Sequence, residues 1–321
     1  MLRSCPLCGA ARVRAWRRGW DRSHLLSRQQ FTYSRCRNCG LRFASERPSE
    51  SEIRRFYPET YYDPRAEPTA QPSLERSRRS KSISSALAAL NAWIDERLAD
   101  PLPARLEATY RPPTSGAVLL DYGCGSPAFL DRAREQGWST IGVDISERVL
   151  REVREHGHRA LPADLDAWGS VPDSSVTVAR VNHVIEHLYR PRDVLTALFE
   201  KLEPDGVLHV STPNPASWTS ALLRSRWLGL DVPRHILLYP PPVLASLLEQ
   251  VGFRRVEIVQ EVLTKDAARS LGYVLHDLGR LPHDGILTMA ERPGLAAALH
   301  APAKLAARAG ASDRIHAFAE K

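Results

Sequence analysis

The chain has 321 residues, of which 43% are apolar and 25% charged, the profile of a folded water-soluble protein with room for two compact units. No apolar run approaches the length of a bilayer span and Met1 to Pro6 hold no signal-like apolar core, so the expectation is a cytoplasmic protein without membrane attachment. The formal charge is +7, and the basic residues are almost all Arg, with only five Lys.

That charge is unevenly placed. Residues 1–47 carry eleven Arg and only two acids, Asp21 and Glu46, a local +9 that leaves −2 for everything after. A basic head on a near-neutral body raises the question of a nucleic-acid partner. The same head holds four of the five cysteines, as Cys5-Pro-Leu-Cys8-Gly9 and Cys36-Arg-Asn-Cys39-Gly40, with 27 residues between the pairs. Two Cys-x-x-Cys-Gly knuckles aim four thiolates at one tetrahedral ion and give a closed shell, which implies a structural zinc on Cys5, Cys8, Cys36 and Cys39. Disulfides would need an oxidising compartment, and a redox pair would not come twice. A piece this small buries little apolar surface, so a metal would supply much of its stability. Four thiolates and one Zn²⁺ carry about −2, which offsets part of the local charge.

Residues 48–115 read as a helical connector or lid. A short helix is expected over 48–57, followed by Tyr61-Tyr62-Asp63-Pro64 and a Pro-rich, charged stretch including Arg76 to Lys81. Ile83, Leu87, Leu90, Ile94 and Leu98 recur at helical spacing.

From residue 116 to 321 strands and helices alternate. Strands are expected at 117–122, 140–144, 176–184, 207–211, 254–259 and 314–319, with a weaker one near 158–161. Amphipathic helices fall at 128–136, 146–155, 191–202 and 240–251, and two or three more within 262–312. The alternation predicts an α/β fold with a doubly wound, mostly parallel sheet. Its first strand runs into Asp121-Tyr-Gly123-Cys124-Gly125-Ser-Pro127, and its second ends in Asp144, 21 residues after Gly123. Strand, glycine turn, helix and a following acid is an adenosine-binding arrangement, with Asp144 placed for the ribose hydroxyls. A carboxylate inside the turn disfavours a pyrophosphate. A cationic ligand without phosphate suits Asp121 better. Cys124 reads as a small residue filling the turn.

Here the sequence resembles the class I S-adenosylmethionine-dependent methyltransferases, over residues 117–261 and the final strand. Asp121-x-Gly123-x-Gly125 resembles that family's first motif and Asp144 its ribose-binding acid. The resemblance implies S-adenosylmethionine as cofactor, an adenine contact from Asp164, and a methionine portion lying by Asn182. It also implies a seven-stranded Rossmann-like sheet whose last strand is antiparallel. His183-x-x-Glu186-His187 with a later His235 is similar to the Glu-x-x-Glu-His pattern of quinone-type and small-RNA-end methyltransferases, in which a divalent metal can bind the acceptor. In this chain His183 stands where that pattern has its first Glu, so Glu186, His187 and His235 make a possible second metal site.

Methyl transfer needs an aligned nucleophile and, for an alcohol or carbon acid, a base. His183 and His235 are the candidate bases, and Tyr62, with Tyr57 and Tyr61, is a candidate acceptor-side residue. The four-cysteine head, the Tyr-Pro-x-x-Tyr-Tyr segment and the Thr212-Pro-Asn214 and Pro233-Arg234-His235 motifs resemble bacterial sugar and secondary-metabolite methyltransferases. The resemblance implies O-methylation of a sugar or natural-product hydroxyl on a small acceptor, an anionic nucleotide-sugar among the candidates. C-methylation of a nucleotide-linked keto-sugar and methylation of rRNA or tRNA are the alternatives, and a nucleic-acid partner is the less expected. The sequence says nothing about oligomeric state.

Overall fold

A computed structural model describes residues 2–58, 85–114 and 116–321. Tyr61, Tyr62 and the charged run Arg76 to Lys81 lie outside the described residues. The head forms strands β1 (Val13–Gly19), β2 (Phe31–Cys36) and β3 (Arg42–Ala44). The helix expected over 48–57 is only a single 3₁₀ turn, Ile53–Phe56. The connector adds helices α1 (Ser85–Arg97) and α2 (Leu102–Tyr110). Of the apolar stripe expected there, Ile94 is buried, whereas Leu90 remains about half exposed at 47%.

The body then runs β4 (Val118–Tyr122), α3 (Ala128–Glu135), β5 (Ser139–Asp144), α4 (Glu147–Glu155) and β6 (Arg159–Pro162). It continues through β7 (Val176–Asn182), α5 (Pro191–Lys201), β8 (Leu202–Pro213) and α6 (Trp218–Leu223). Strand β9 (Leu237–Leu238), helix α7 (Pro241–Val251) and strand β10 (Arg254–Gln260) follow. Helices α8 (Lys265–Asp277), α9 (Gly285–Thr288) and α10 (Pro293–Arg308) precede the last strand, β11 (Arg314–Glu320).

Seven strands form one sheet in the order β6-β5-β4-β7-β8-β11-β10. The β4, β5, β6, β7 and β8 pairings are parallel, and β11 is antiparallel to both neighbours. This is the expected Rossmann-like methyltransferase sheet. Its central strands are runs such as Val118-Leu-Leu120 and Val176-Thr-Val-Ala179, because helices cover both faces of a parallel sheet and leave little polar edge. Helix α4 shows the local logic: Ser146 caps it by accepting from the Val149 N–H, and Val149, Leu150 and Val153 face the sheet. Strand β8 begins at Leu202, well before the expected 207, and carries Asp205 in the left-handed region.

The head is not a separate bead. Its sheet has the order β1-β2-β3-β9, so the body supplies its fourth strand, with Arg42 opposite Leu238 and Phe43 opposite Leu237. Phe31, Tyr33 and Phe43 join Trp227, Leu237 and Tyr239 in one continuous core. Stability expected from metal alone therefore has a second source in packing against the body. Among the described residues no helix is long and apolar enough to cross a membrane.

Candidate active site

The candidate cofactor crevice is built at the carboxyl ends of β4 and β5, beside the β4–β7 pair at which the strand order reverses. Gly123 has φ +74°, and a Cβ there would collide with Val184. Gly125 has φ +64° and nothing within 4 Å of its Cβ position, an open wall a ligand can approach. Asp144 is 3% exposed and accepts the Gly125 N–H at 2.9 Å on one carboxylate oxygen and the Ser146 N–H at 2.8 Å on the other. Burial pushes its carboxyl upward and those two N–H groups pull it back. An ionised carboxylate has about four lone-pair sites, so two N–H bonds leave acceptors for a ribose diol.

The other expected cofactor residues are placed differently. Asp121 is fully buried, and Arg180 of β7 donates to both its oxygens at 2.9 Å. Its charge is countered inside the protein, which removes the argument that it stands free to attract a cation. Asp164 is exposed and caps a 3₁₀ turn by accepting from the Asp166 N–H. Asn182 ends β7 opposite Ser211, half-buried beside the crevice. Cys124 packs with Leu130 and Val153 around Gly142, as a small turn residue should.

The acceptor wall lies past β7. His183 has φ +55°, an unusual conformation for a side chain of its size, secured by its N–H donating to Ser211 O at 2.9 Å. Arg314 Nη1 donates to His183 Nε2 at 3.1 Å, so that nitrogen must accept and Nδ1 carries the proton, 3.4 Å from Glu186 Oε1. Burial and the Arg314 charge hold His183 below its usual pKa. The lone pair on Nε2 is thus taken by Arg314, and the base role expected of His183 has no free lone pair to use.

His235 is arranged in the opposite way. Its Nδ1 donates to Gly229 O at 2.9 Å, which leaves the lone pair on Nε2, 3.8 Å from Glu186 Oε1. His187 Nδ1 donates to Arg234 O at 3.1 Å, with Tyr57 Oη at 3.0 Å from the same nitrogen, so its Nε2 also bears a lone pair. Glu186 is fully buried: Oε2 accepts from Thr212 Oγ1 at 2.9 Å, and Oε1 has no hydrogen-bond partner. Burial alone would raise its carboxyl, but His183, His235 and His187 around it bring it down to about 2. One ligand atom from each of Glu186, His187 and His235 falls within 4.8 Å of the others. Acceptor atoms this close repel unless a proton or a cation lies among them, so the donor set fits a divalent ion.

Arg234, between the last two of these, is the residue that reading by motif missed. It is fully buried and fully engaged: Nε and Nη2 donate to Asp231 at 2.9 and 2.7 Å, Nη2 also to Asp21 at 2.8 Å, and Nη1 to Phe56 O at 2.8 Å. Asp21 belongs to the head and is also fully buried. Tyr33 of β2 adds a bond to His235 O at 2.9 Å. The head therefore holds the His235 segment in place.

In the head, Cys5 Sγ lies 3.6 Å from Cys39 Sγ and Cys8 Sγ 3.7 Å from Cys36 Sγ. Those separations are too long for disulfides, which run about 2 Å. They match the roughly 3.8 Å edge of a tetrahedron with metal–sulfur bonds of about 2.3 Å. The Asn38 and Cys39 N–H groups point at Cys36 Sγ at 3.4 and 3.5 Å, which favours a thiolate there. The set fits a four-thiolate metal ion.

Comparison with known proteins agrees with this architecture. A family model described as a methyltransferase domain matches residues 90–258, more than half of the chain. The chain belongs to that family. It is a class I S-adenosylmethionine-dependent methyltransferase. Among curated relatives, the mitochondrial ubiquinone biosynthesis O-methyltransferase of Schizosaccharomyces pombe is 31% identical over 134 residues, 40% of this chain and 47% of that protein. The ubiquinone biosynthesis O-methyltransferase of Dinoroseobacter shibae is 29% identical over 160 residues, 45% of this chain and 63% of that one. The chain thus spans less than two thirds of the length of these relatives. A methyltransferase structure from Archaeoglobus fulgidus superposes with a TM-score of 0.47 at 21% identity, covering 72% of this chain and 94% of that one.

Proposed function

We propose that this methyltransferase transfers its methyl group to a hydroxyl of a small polar metabolite, a sugar or natural-product alcohol, as a cytoplasmic enzyme of natural-product biosynthesis. The observation that carries the reading is the group of unsatisfied acceptors formed by Glu186 Oε1, His235 Nε2 and His187. An alcohol is a poor nucleophile until its proton leaves, and this is where a proton has somewhere to go. That the curated relatives carry O-methyltransferase names supports oxygen as the acceptor atom.

S-adenosylmethionine supplies a methyl group already activated on a sulfonium. Asp144, the Gly123–Gly125 turn, Asp164 and Asn182 would hold it, with Asp144 binding the ribose. His235 takes the acceptor's proton on Nε2, and its Nδ1 bond to Gly229 keeps the ring aimed. Glu186 stabilises the resulting imidazolium. Alternatively, Glu186, His187 and His235 would hold a divalent cation, which in place of the His235 base would supply Lewis acidity toward the acceptor oxygen. The four head thiolates would hold a structural zinc.

The test offers labelled cofactor with sugar alcohols, phenols and nucleotide-linked keto-sugars, the last to detect C-methylation. With the best acceptor, Glu186→Gln and His235→Gln should each lower kcat by about 10²–10⁴ with cofactor affinity unchanged. Activity within about threefold of the parent in both would end this reading. A second reading, an RNA methyltransferase clamped by its head, draws on the register that stacks Arg14, Arg35 and Arg42 side by side across β1, β2 and β3. Affinity for a tRNA or rRNA fragment that falls steeply with salt would favour it.

A further inference from the structure

Past β10 the chain passes Glu261 and enters α8 at Lys265. The first turn of α8 is fastened to the acceptor wall. Asp266, 6% exposed, accepts from Arg314 Nε at 2.6 Å and Nη2 at 2.9 Å, and the third guanidinium nitrogen reaches His183. Lys265 and Arg269 are one turn apart on α8 and so share a face. Both are half-buried. Among the described residues neither forms an ion pair, and Arg269 Nε is sealed from solvent without a hydrogen-bond partner.

Two like charges at this spacing destabilise a helix, and half-burying them adds a desolvation cost. The neighbours do not relieve it. The charged groups facing Lys265 are Arg314, Asp266, Glu261 and Arg269. Asp266 is committed to Arg314, and Glu261 Oε2 faces His316 Nε2 at 3.3 Å. Burial and the Arg314 charge together push the Lys265 ammonium below its usual pKa. The site lies at the carboxyl edge of the sheet, the edge at which ligands bind in this class of fold, and on the side of β8 and β11 away from the cofactor turn.

We propose that Lys265 and Arg269 form an anion subsite that takes a phosphate or carboxylate group of the acceptor. The inference rests on the acceptor-wall reading above and narrows it: the acceptor is an anionic molecule, held by its charged group beside α8 while its hydroxyl meets His235. An oxyanion between the Lys265 ammonium and the Arg269 guanidinium turns two unpaired cations into charge-assisted hydrogen bonds.

The test is titration calorimetry on the full chain loaded with S-adenosylhomocysteine, with inorganic pyrophosphate and malonate as probes. At least one probe should bind, and which one binds better separates phosphate from carboxylate recognition. Lys265→Gln and Arg269→Gln should each weaken it by about tenfold or more, Lys265→Arg should retain it, and S-adenosylhomocysteine affinity should stay unchanged in all. The head variant Arg14→Gln/Arg35→Gln should bind the probe like the parent. No binding of either probe, equal binding in the two Gln variants, or loss confined to the head variant would overturn the proposal. No turnover is read, so failure of the hydroxyl-methylation reading leaves this result standing, and the reverse also holds.

Discussion

The cofactor crevice and the acceptor wall face each other across one sheet edge, yet they are assembled in different ways. The crevice comes from a single βαβ unit: Gly123, Gly125, Asp144 and Ser146 lie within 24 residues, Asp144 accepts from the Gly125 and Ser146 N–H groups, and the Gly123 N–H donates to Val143 O. The wall is collected from five distant segments, with Tyr57, Glu186 and His187, Arg234 and His235, Arg314, and Asp21 of the head. The crevice draws its contacts from the body alone, whereas the wall exists only when the head, the body and the last strand are all docked. Perturbations should therefore separate the two.

The largest effect is expected from the metal. Replacing Cys36 with Ser, or stripping the ion with a chelator, should unfold the head and abolish methyl transfer, since a four-thiolate zinc site is worth on the order of 10 kcal/mol in small zinc folds. Elemental analysis should find one zinc per chain beforehand. If the crevice is as independent as its contacts suggest, calorimetry should still detect cofactor binding after the loss.

Next comes Arg234→Met. Breaking one partner of a buried ion pair costs about 3–5 kcal/mol, because Asp21 and Asp231 are left facing each other. Thermal unfolding should register this. The surviving folded fraction should bind cofactor normally but turn over poorly, since His235 loses its anchor. Parent-like turnover would show that the head does not organise the wall.

Asp144→Ala probes the other half. It should weaken cofactor binding by about 2–3 kcal/mol, the value of hydrogen bonds to a charged group, while the probe affinity at Lys265 and Arg269 stays unchanged. Equal cofactor affinity would refute the ribose assignment.

The smallest effect concerns pH. His209 is buried between Tyr110 and His316, stacks on Phe318, and faces Arg180, Arg105 and His183. Burial first, then the neighbouring His316, Arg180, Arg105 and His183, hold it well below the usual imidazole pKa. Below about pH 6.5 the unfolded chain takes up a proton at this residue and the folded chain does not, so stability should fall as pH drops through that window. His209→Phe should flatten that part of the stability–pH curve. An unchanged slope would assign the acid sensitivity elsewhere.

The same contrast explains what could be read in advance. The glycine turn, Asp144 and the two Cys-x-x-Cys-Gly knuckles are fixed by short spacings, and the sheet's strands announce themselves as apolar runs between amphipathic helices. Partnerships between distant segments leave no such trace. Nothing near Asp121 points to Arg180, 59 residues on, and Pro233-Arg234-His235 gives no hint that Arg234 closes on Asp21. Strand β9 has two residues, too few to show a period. His183 is a case of the same kind: the state of its Nε2 depends on Arg314, which the sequence places 131 residues away.

The pairing of β3 with β9 has a consequence for assembly. Only Ile236 separates His235 from Leu237 and Leu238, so the same short segment completes the head's sheet and carries the proposed base. Opening the head would therefore take from this segment its β3 pairing, the Asp21 partner of Arg234 and the Tyr33 bond to His235 O all at once.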